Sequence, residues 1–247
     1  MKRWYDLIVI MYDATSEIYY AQLVEEESTS TVMRALWEVI ERKGVFCSLY
    51  SDRASHFFET PKAGERVSRD RFTQVGRALK ELGIEAIPAY SQARGRSERG
   101  FRTWQGRLPQ ELRKAGIASI EGANQFLRDY YIEEFNERFT VRAAQMGTAF
   151  VPVRRCDLDL VFSIQQERVV ANDNTVRYEN RVLQIEKAKW RRTLAGCRVT
   201  VYPAPGRNVE CELRTTHCRS LHRRRNGPDE TSGIGWRSRA VEKWKSG

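Results

Sequence analysis

Residues 7–12, Leu-Ile-Val-Ile-Met-Tyr, form an unbroken apolar run of strand-forming side chains, the pattern of a β-strand covered on both faces. Asp13-Ala14-Thr15-Ser16 supplies turn chemistry, and residues 17–24 carry a second strand, so the two predict a hairpin. Val32, Ala35, Leu36, Val39 and Ile40 then recur at helical spacing. With Ser30 as a candidate cap and Gly44 as a stop, they predict a helix over 30–43. A strand is predicted over 45–51, with Asp52 at its C-terminal end. Phe72, Val75, Leu79 and Leu82 mark a helix over 71–82, and 84–89 reads as a short strand.

Residues 91–97 are basic and loop-like, and lead into a long helix starting near Glu98 with Phe101, Leu108 and Leu112 on one face. Pro109 falls inside that pattern and predicts a kink or break. Ile120, Ala123, Phe126, Leu127, Tyr130 and Tyr131 predict a last helix over about 119–137. Strands followed by alternating helices and strands predict a mixed α/β layer.

The pattern changes near residue 141. Residues 141–157, with Gly147, Pro152 and the pair Arg154-Arg155, read as a linker. Short strand-like pieces follow at 160–164, 168–171, 175–178, 182–185 and 198–202, with a tight-turn signal at Asn172-Asp173-Asn174. Their spacing predicts a small β-barrel over 158–216, and 217–247 reads as a basic disordered tail.

Charge adds a partner. The 247 residues carry a formal net charge of +10, a surplus that points to a polyanion. Nothing approaches the roughly 20 consecutive apolar residues of a membrane span, and no export signal opens the chain. Cys47, Cys156, Cys197, Cys211 and Cys218 therefore read as reduced thiols of a cytoplasmic protein. Cys211, His217, Cys218 and His222 lie close together, but their spacing fits no common structural zinc site.

Two carboxylates carry the candidate chemistry. Taken singly, Asp52 passes as a turn residue and Glu98 as a favourable contact with a helix dipole. Together they place one acid after a central strand and another at the head of a helix rich in arginine. Such a pair suits two-metal phosphodiester chemistry, in which carboxylate oxygens hold Mg²⁺ or Mn²⁺. Arg94, Arg96, Arg99, Arg102 and Arg107 stand around the second acid, and with Arg154 and Arg155 are candidates for DNA phosphate contacts.

Tyr-Ser-Asp-Arg-Ala-Ser-His-Phe (50–57), Phe-Thr-Gln-Val-Gly-Arg-Ala-Leu-Lys-Glu-Leu-Gly-Ile (72–84) and Ser-Gln-Ala-Arg-Gly-Arg-Ser-Glu-Arg (91–99) resemble bacterial insertion-sequence transposases with a retroviral-integrase-like core. The hairpin motifs Asp-Ala-Thr-Ser (13–16) and Val-Glu-Glu-Glu-Ser-Thr (24–29) are most similar to the ISNCY type. The likeness covers about 7–140 and continues at Gln-Glu-Arg-Val-Val (166–170) and Asn-Asp-Asn-Thr-Val-Arg-Tyr (172–178).

The resemblance implies an RNase H-like core over 1–140, DNA cleavage and strand transfer, and an Asp-Asp-Glu triad holding two metal ions. Asp52 matches the second acid and Glu98 the third. It also implies double-stranded DNA as partner, both transposon ends and target, and a homo-multimer on that DNA.

For the first acid, Asp13 is the less favoured choice. The family fold opens with three antiparallel strands and bears its first aspartate on the first of them. Here two strands precede the first helix, so the chain is expected to start after that residue and to have impaired catalysis. A catalytically inactive DNA-binding remnant is the alternative, and a general basic structural or RNA-binding protein a third.

Overall fold

The computed structural model describes residues 4–51, 57, 72–88, 95–143, 147–154, 156–178, 181–185, 193–203, 211–215 and 238–240. Two compact units divide the chain: residues 1–162 with 234–247, and residues 163–233.

In the first unit, β1 (Asp6–Met11) and β2 (Ile18–Val24) form the predicted antiparallel hairpin. Helix α1 (Thr29–Lys43) follows, capped by Ser28 rather than Ser30. The Ser28 hydroxyl accepts from the Thr31 amide, and the Thr31 hydroxyl accepts from the Ser28 amide, so two end groups are satisfied reciprocally. The strand predicted over 45–51 is split into β3 (Val45–Phe46) and β4 (Ser48–Ser51). Helix α2 (Gln74–Glu81) and β5 (Glu85–Pro88) come next.

Helix α3 (Gly95–Lys114) runs through Pro109 without ending, against the predicted break. Pro109 is 14 residues past the helix start, so the first-turn tolerance for proline does not explain this; Trp104 and Leu108, buried in the turn before it, and Leu112 after it pack into the core and hold the helix in place. The predicted last helix is α4 (Ile120–Phe126), a π-turn at Leu127–Tyr131, and α5 (Ile132–Phe139). A short β6 (Phe150–Val151) pairs antiparallel with β3. Residues 160–164, read as a strand, begin instead in helix α6 (Leu158–Val161). Asp157 accounts for this: its carboxylate accepts from the Asp159 and Leu160 amides and starts a helical turn.

One core of this unit packs Leu7, Val9, Met11, Ile18, Ala21 and Leu23 from the hairpin against Trp104, Leu108, Ala123, Leu127, Tyr131 and Phe135. Ile8 and Ile10, equally buried, point to the other face, where α1 contacts both strands. Ile18 shares a face with Ala21 despite the odd spacing, because the register shifts at β1 Ile10/Met11 and leaves Tyr19 unpaired in the ladder. Arg42 donates to the freed Tyr19 carbonyl at 2.8 Å.

The outer edge of β2 is closed by two asparagines. Asn124 accepts from the Leu23 amide at 2.7 Å and donates to its carbonyl at 2.8 Å. Asn136 treats Ile18 the same way. Each amide side chain thus stands in for one residue of a neighbouring strand.

The second unit contains β7 (Gln166–Val169), β8 (Thr175–Tyr178), β9 (Arg181–Gln184), β10 (Arg198–Pro203) and β11 (Cys211–Thr215). Its described strands form a three-stranded sheet, β11-β10-β7, and a separate β8-β9 hairpin, with no closed barrel among the described residues. Val170, Val176, Tyr178, Ile185, Leu194, Val199 and Val201 make its core. Of the expected tail, the structure describes only β12 (Ser238–Ala240), which belongs to the first unit; the zinc candidates His217, Cys218 and His222 lie outside the described residues.

Candidate functional site

The first unit's five-stranded sheet has the order β2-β1-β12-β4-β5. Strands β4 and β5 are parallel, with Ser48 opposite Glu85 and Ser51 opposite Pro88. Their C-terminal ends therefore open at the same edge of the sheet, where α/β proteins place ligands and chemistry. Asp52 is the next residue in sequence after β4, and α3 begins seven residues after Pro88. Asp52 itself lies outside the described residues, and Glu98 is the fourth residue of α3. The backbone thus leads both carboxylate-bearing segments away from one end of the parallel pair.

Asp13 is at the other end. Strand β12 is antiparallel to β1 and parallel to β4, so β1 and β4 run in opposite directions. Across the sheet Met11 is level with Arg239 and Tyr50. Asp13, two residues beyond Met11, is therefore level with the start of β4, about 13 Å along the strand direction from the position that follows Ser51. Asp6 is at the same end as the C-terminus of β4, but its carboxylate accepts from the Glu27 amide at 2.9 Å and serves to close the hairpin base. Among the described residues no group of three metal-ligating side chains converges.

Sequence reasoning does not single out Ser51. It is 1% exposed, and its hydroxyl has no hydrogen-bond partner among the described residues. A serine at the end of a wholly buried strand is the signal that points to it.

Of the candidate arginines, Arg96, Arg99, Arg102 and Arg107 lie on α3, while Arg94 and Arg155 are outside the described residues. Arg107 is exposed and stacks over Phe139 at 5.1 Å. With Thr103, Gln110, Lys114 and Phe139 it lines an open surface cleft of about 620 Å³. Arg154 is exposed. Arg77, by contrast, is tied into the fold. Its guanidinium donates to the Val161 carbonyl at 2.7 Å and pairs with Glu81 at 3.3 Å, joining α2 to α6. Burial lowers its pKa, and Glu81 opposes that shift.

No described helix is long and apolar enough to cross a membrane. A mixed sheet whose parallel strands β4 and β5 end at one edge, with a helix carrying several arginines, is the frame, and comparison with known proteins gives the class. The chain belongs to the insertion-sequence transposases. It is 32% identical over 204 residues to the Sinorhizobium fredii (strain NBRC 101917 / NGR234) protein y4bF, whose name assigns it as a transposase; the match takes in 78% of this chain and 44% of that one. It is 31% identical over 175 residues to the transposase for insertion sequence IS1202 of Streptococcus pneumoniae, covering 68% of this chain and 36% of the relative. The chain thus spans less than half the length of the curated relatives it matches. No family model matches it.

Proposed function

We propose that this chain is part of an RNase H-like DNA transposase core that cleaves DNA and transfers a strand, with Asp52 and Glu98 as two of its catalytic carboxylates. The observation that carries this reading is the common edge of β4 and β5, from which the segments bearing both acids depart. The donor set fits the ion expected there, since carboxylate oxygens are the hard ligands that Mg²⁺ prefers. Bound between these acids, Mg²⁺ or Mn²⁺ would activate the attacking oxygen and stabilise the leaving one. Asp52 and Glu98 would hold the ion, and the arginines of α3 would fix DNA phosphates by charge-assisted hydrogen bonds. Double-stranded DNA, as transposon end and as target, is the substrate class, and assembly of several copies on it is part of the proposal.

A second reading is a DNA-binding remnant without catalysis. One observation favours it: Asp13 lies at the far end of the sheet from the C-terminus of β4, so it does not supply a third acid there. Nicking of a transposon-end duplex in Mg²⁺ or Mn²⁺ separates the two readings. The enzyme reading expects nicking that Asp52→Asn and Glu98→Gln each reduce by about 10³-fold, the scale of losing a charged group in transition-state stabilisation. Binding without nicking in either metal leaves the remnant. Under both readings affinity falls steeply with salt, because phosphate neutralisation releases counterions; binding that ignores salt would count against DNA as the partner.

A further inference from the structure

The C-terminal half of α3 and helix α5 leave a polar recess between them. Its inner end is a pocket of about 10 Å³, room for one water-sized oxygen, lined by Arg107, Glu111, Tyr131, Glu134, Arg138 and Phe139. Arg107, Glu111 and Phe139 also line the open cleft of about 620 Å³, so pocket and cleft share a wall. Gly106 lines the cleft as well and adds no side chain to it.

The pocket presents a donor without an acceptor. Tyr131 is 3% exposed, and its hydroxyl has no hydrogen-bond partner among the described residues. A buried hydroxyl left unpaired is costly, so an oxygen that accepts from it is favoured there. Burial, and then the Glu111 carboxylate, push the phenol pKa up to about 12, so at neutral pH the group can donate. Trp104 packs edge-on against the ring at 5.1 Å and helps to fix its direction.

The charges around the recess ask for an anion. Glu111 pairs with Lys114 and Glu134 with Arg138, so both carboxylates are occupied by cations of their own helices. Arg107 has no ion pair among the described residues. It stacks over Phe139 instead, a contact that consumes none of its N–H donors. Three cations against two carboxylates leave a positive surplus beside the orphan hydroxyl. A phosphate oxygen meets both demands at once.

We propose that this recess is a DNA phosphate clamp. One non-bridging oxygen enters the pocket and accepts from the Tyr131 hydroxyl, Arg107 pairs with the same phosphate, and the strand continues along the open cleft past Gln110. Arg107 is nine residues after Glu98 on one helix, about 13 Å along its axis, so the clamped phosphate is not the one at the candidate carboxylates. The clamp therefore positions the duplex rather than reacting with it. This inference rests on DNA as the partner and is independent of the metal chemistry.

The test measures binding of the full chain to a fluorescein-labelled duplex of about 30 base pairs and mixed sequence, by anisotropy across a salt series, since phosphate contacts do not depend on sequence. Arg107→Gln should weaken binding about tenfold and lower the slope of log affinity against log salt by about one. Tyr131→Phe keeps the ring and removes only the hydroxyl. It should weaken binding about tenfold at an unchanged slope, because a neutral donor displaces no counterion, with a thermal midpoint no lower than the parent's. In the unaltered chain, the duplex should protect Arg107 from phenylglyoxal, mapped by mass spectrometry, while the exposed Arg34 of α1 remains reactive. Parental affinity in both variants would overturn the clamp and leave DNA as the partner, with only water in the pocket. Arg107 as reactive with the duplex as without it would do the same. A parent chain that does not bind the duplex at low salt would overturn DNA as the partner and the clamp with it.

Discussion

Asn136 and Ile18 exchange two hydrogen bonds, the strand amide donating to the side-chain oxygen at 2.8 Å and the side-chain amide donating to the strand carbonyl at 2.9 Å. Asn124 repeats the pattern on Leu23. Five residues separate the strand partners, so a regular strand would turn one of them inward; the unpaired Tyr19 restores the parity. Twelve residues separate the asparagines. At about 100° per residue, a regular α-helix would set them about 120° apart. The π-turn at Leu127–Tyr131 absorbs one residue and brings that offset to about 20°. An irregularity in the strand and one in the helix are matched, and together they seal the sheet edge.

Removing either clamp should destabilise the hairpin edge in proportion to burial. Asn124 is buried and Asn136 is more open to water. Asn124→Ala is expected to cost about 2–4 kcal/mol, because two buried backbone groups lose partners, and Asn136→Ala about 1–2 kcal/mol, because water can replace part of the loss. Urea unfolding of both variants, against Glu133→Ala as a surface control, checks the order. Equal costs for all three would mean that the edge is not held this way.

The π-turn makes a prediction that runs against intuition. Deleting Asp129, an exposed residue inside it, should convert the segment to a regular α-helix and keep both asparagines on Ile18 and Leu23. Inserting one alanine after Asp129 should swing Asn136 away by about 100° and break its pair. The deletion variant is expected within about 1–2 kcal/mol of the parent, and the insertion variant should lose at least as much as Asn136→Ala. Chemical denaturation, with amide chemical shifts of Ile18, distinguishes them.

Much of the first unit is legible in the sequence because its elements are amphipathic over their own length. The apolar run 7–12 and the periodicity of 30–43 correspond to β1 and α1 within a residue or so at each end. Residues 160–164 mislead because Leu, Val, Phe and Ile fit a buried strand as well as a short helix, and the carboxylate of Asp157 decides the matter locally. Pro109 misleads in the opposite sense, since lost helix hydrogen bonding is offset by tertiary packing of Trp104 and Leu108. Strand β12 is out of reach of such reading: nothing in Ser-Arg-Ala announces a strand, and only the non-local slot between β1 and β4 makes one of it. At the candidate site, Asp52 and Glu98 are proposed from their motifs alone, while the distance of Asp13 from the end of β4 needs the strand directions.

In the second unit, the β8 turn should be sensitive to acid. Asp173 accepts from the Thr175 hydroxyl at 2.7 Å and from the Thr175 amide at 3.1 Å, and these bonds lower its carboxyl pKa below 3.8, the hydroxyl first. The folded value lies under the unfolded one, so the contribution is complete above about pH 4 and is lost as pH falls through the folded value. Carboxyl-detected NMR titration should give a midpoint below 3.8, and Thr175→Val should move it upward. A midpoint unaffected by that substitution would remove the hydroxyl as the cause.

Gly44 closes α1 at φ +106°, and a Cβ added there would meet the Val151 carbonyl oxygen at 2.5 Å. Two costs should therefore add in Gly44→Ala: backbone strain, and displacement of the β6 backbone that pairs with β3. Gly83, at φ +72° with nothing within 4 Å of its virtual Cβ, separates them. Gly83→Ala should cost about 1 kcal/mol from conformation alone. Gly44→Ala should cost about 2–4 kcal/mol, the excess being the steric part. The same substitution should disturb the edge-on contact of Phe150 with Phe46 and with Tyr19, visible in the aromatic ring shifts. Equal costs at the two glycines, with unchanged ring shifts, would show that β6 yields freely and that the approach of Gly44 to Val151 contributes nothing to holding it.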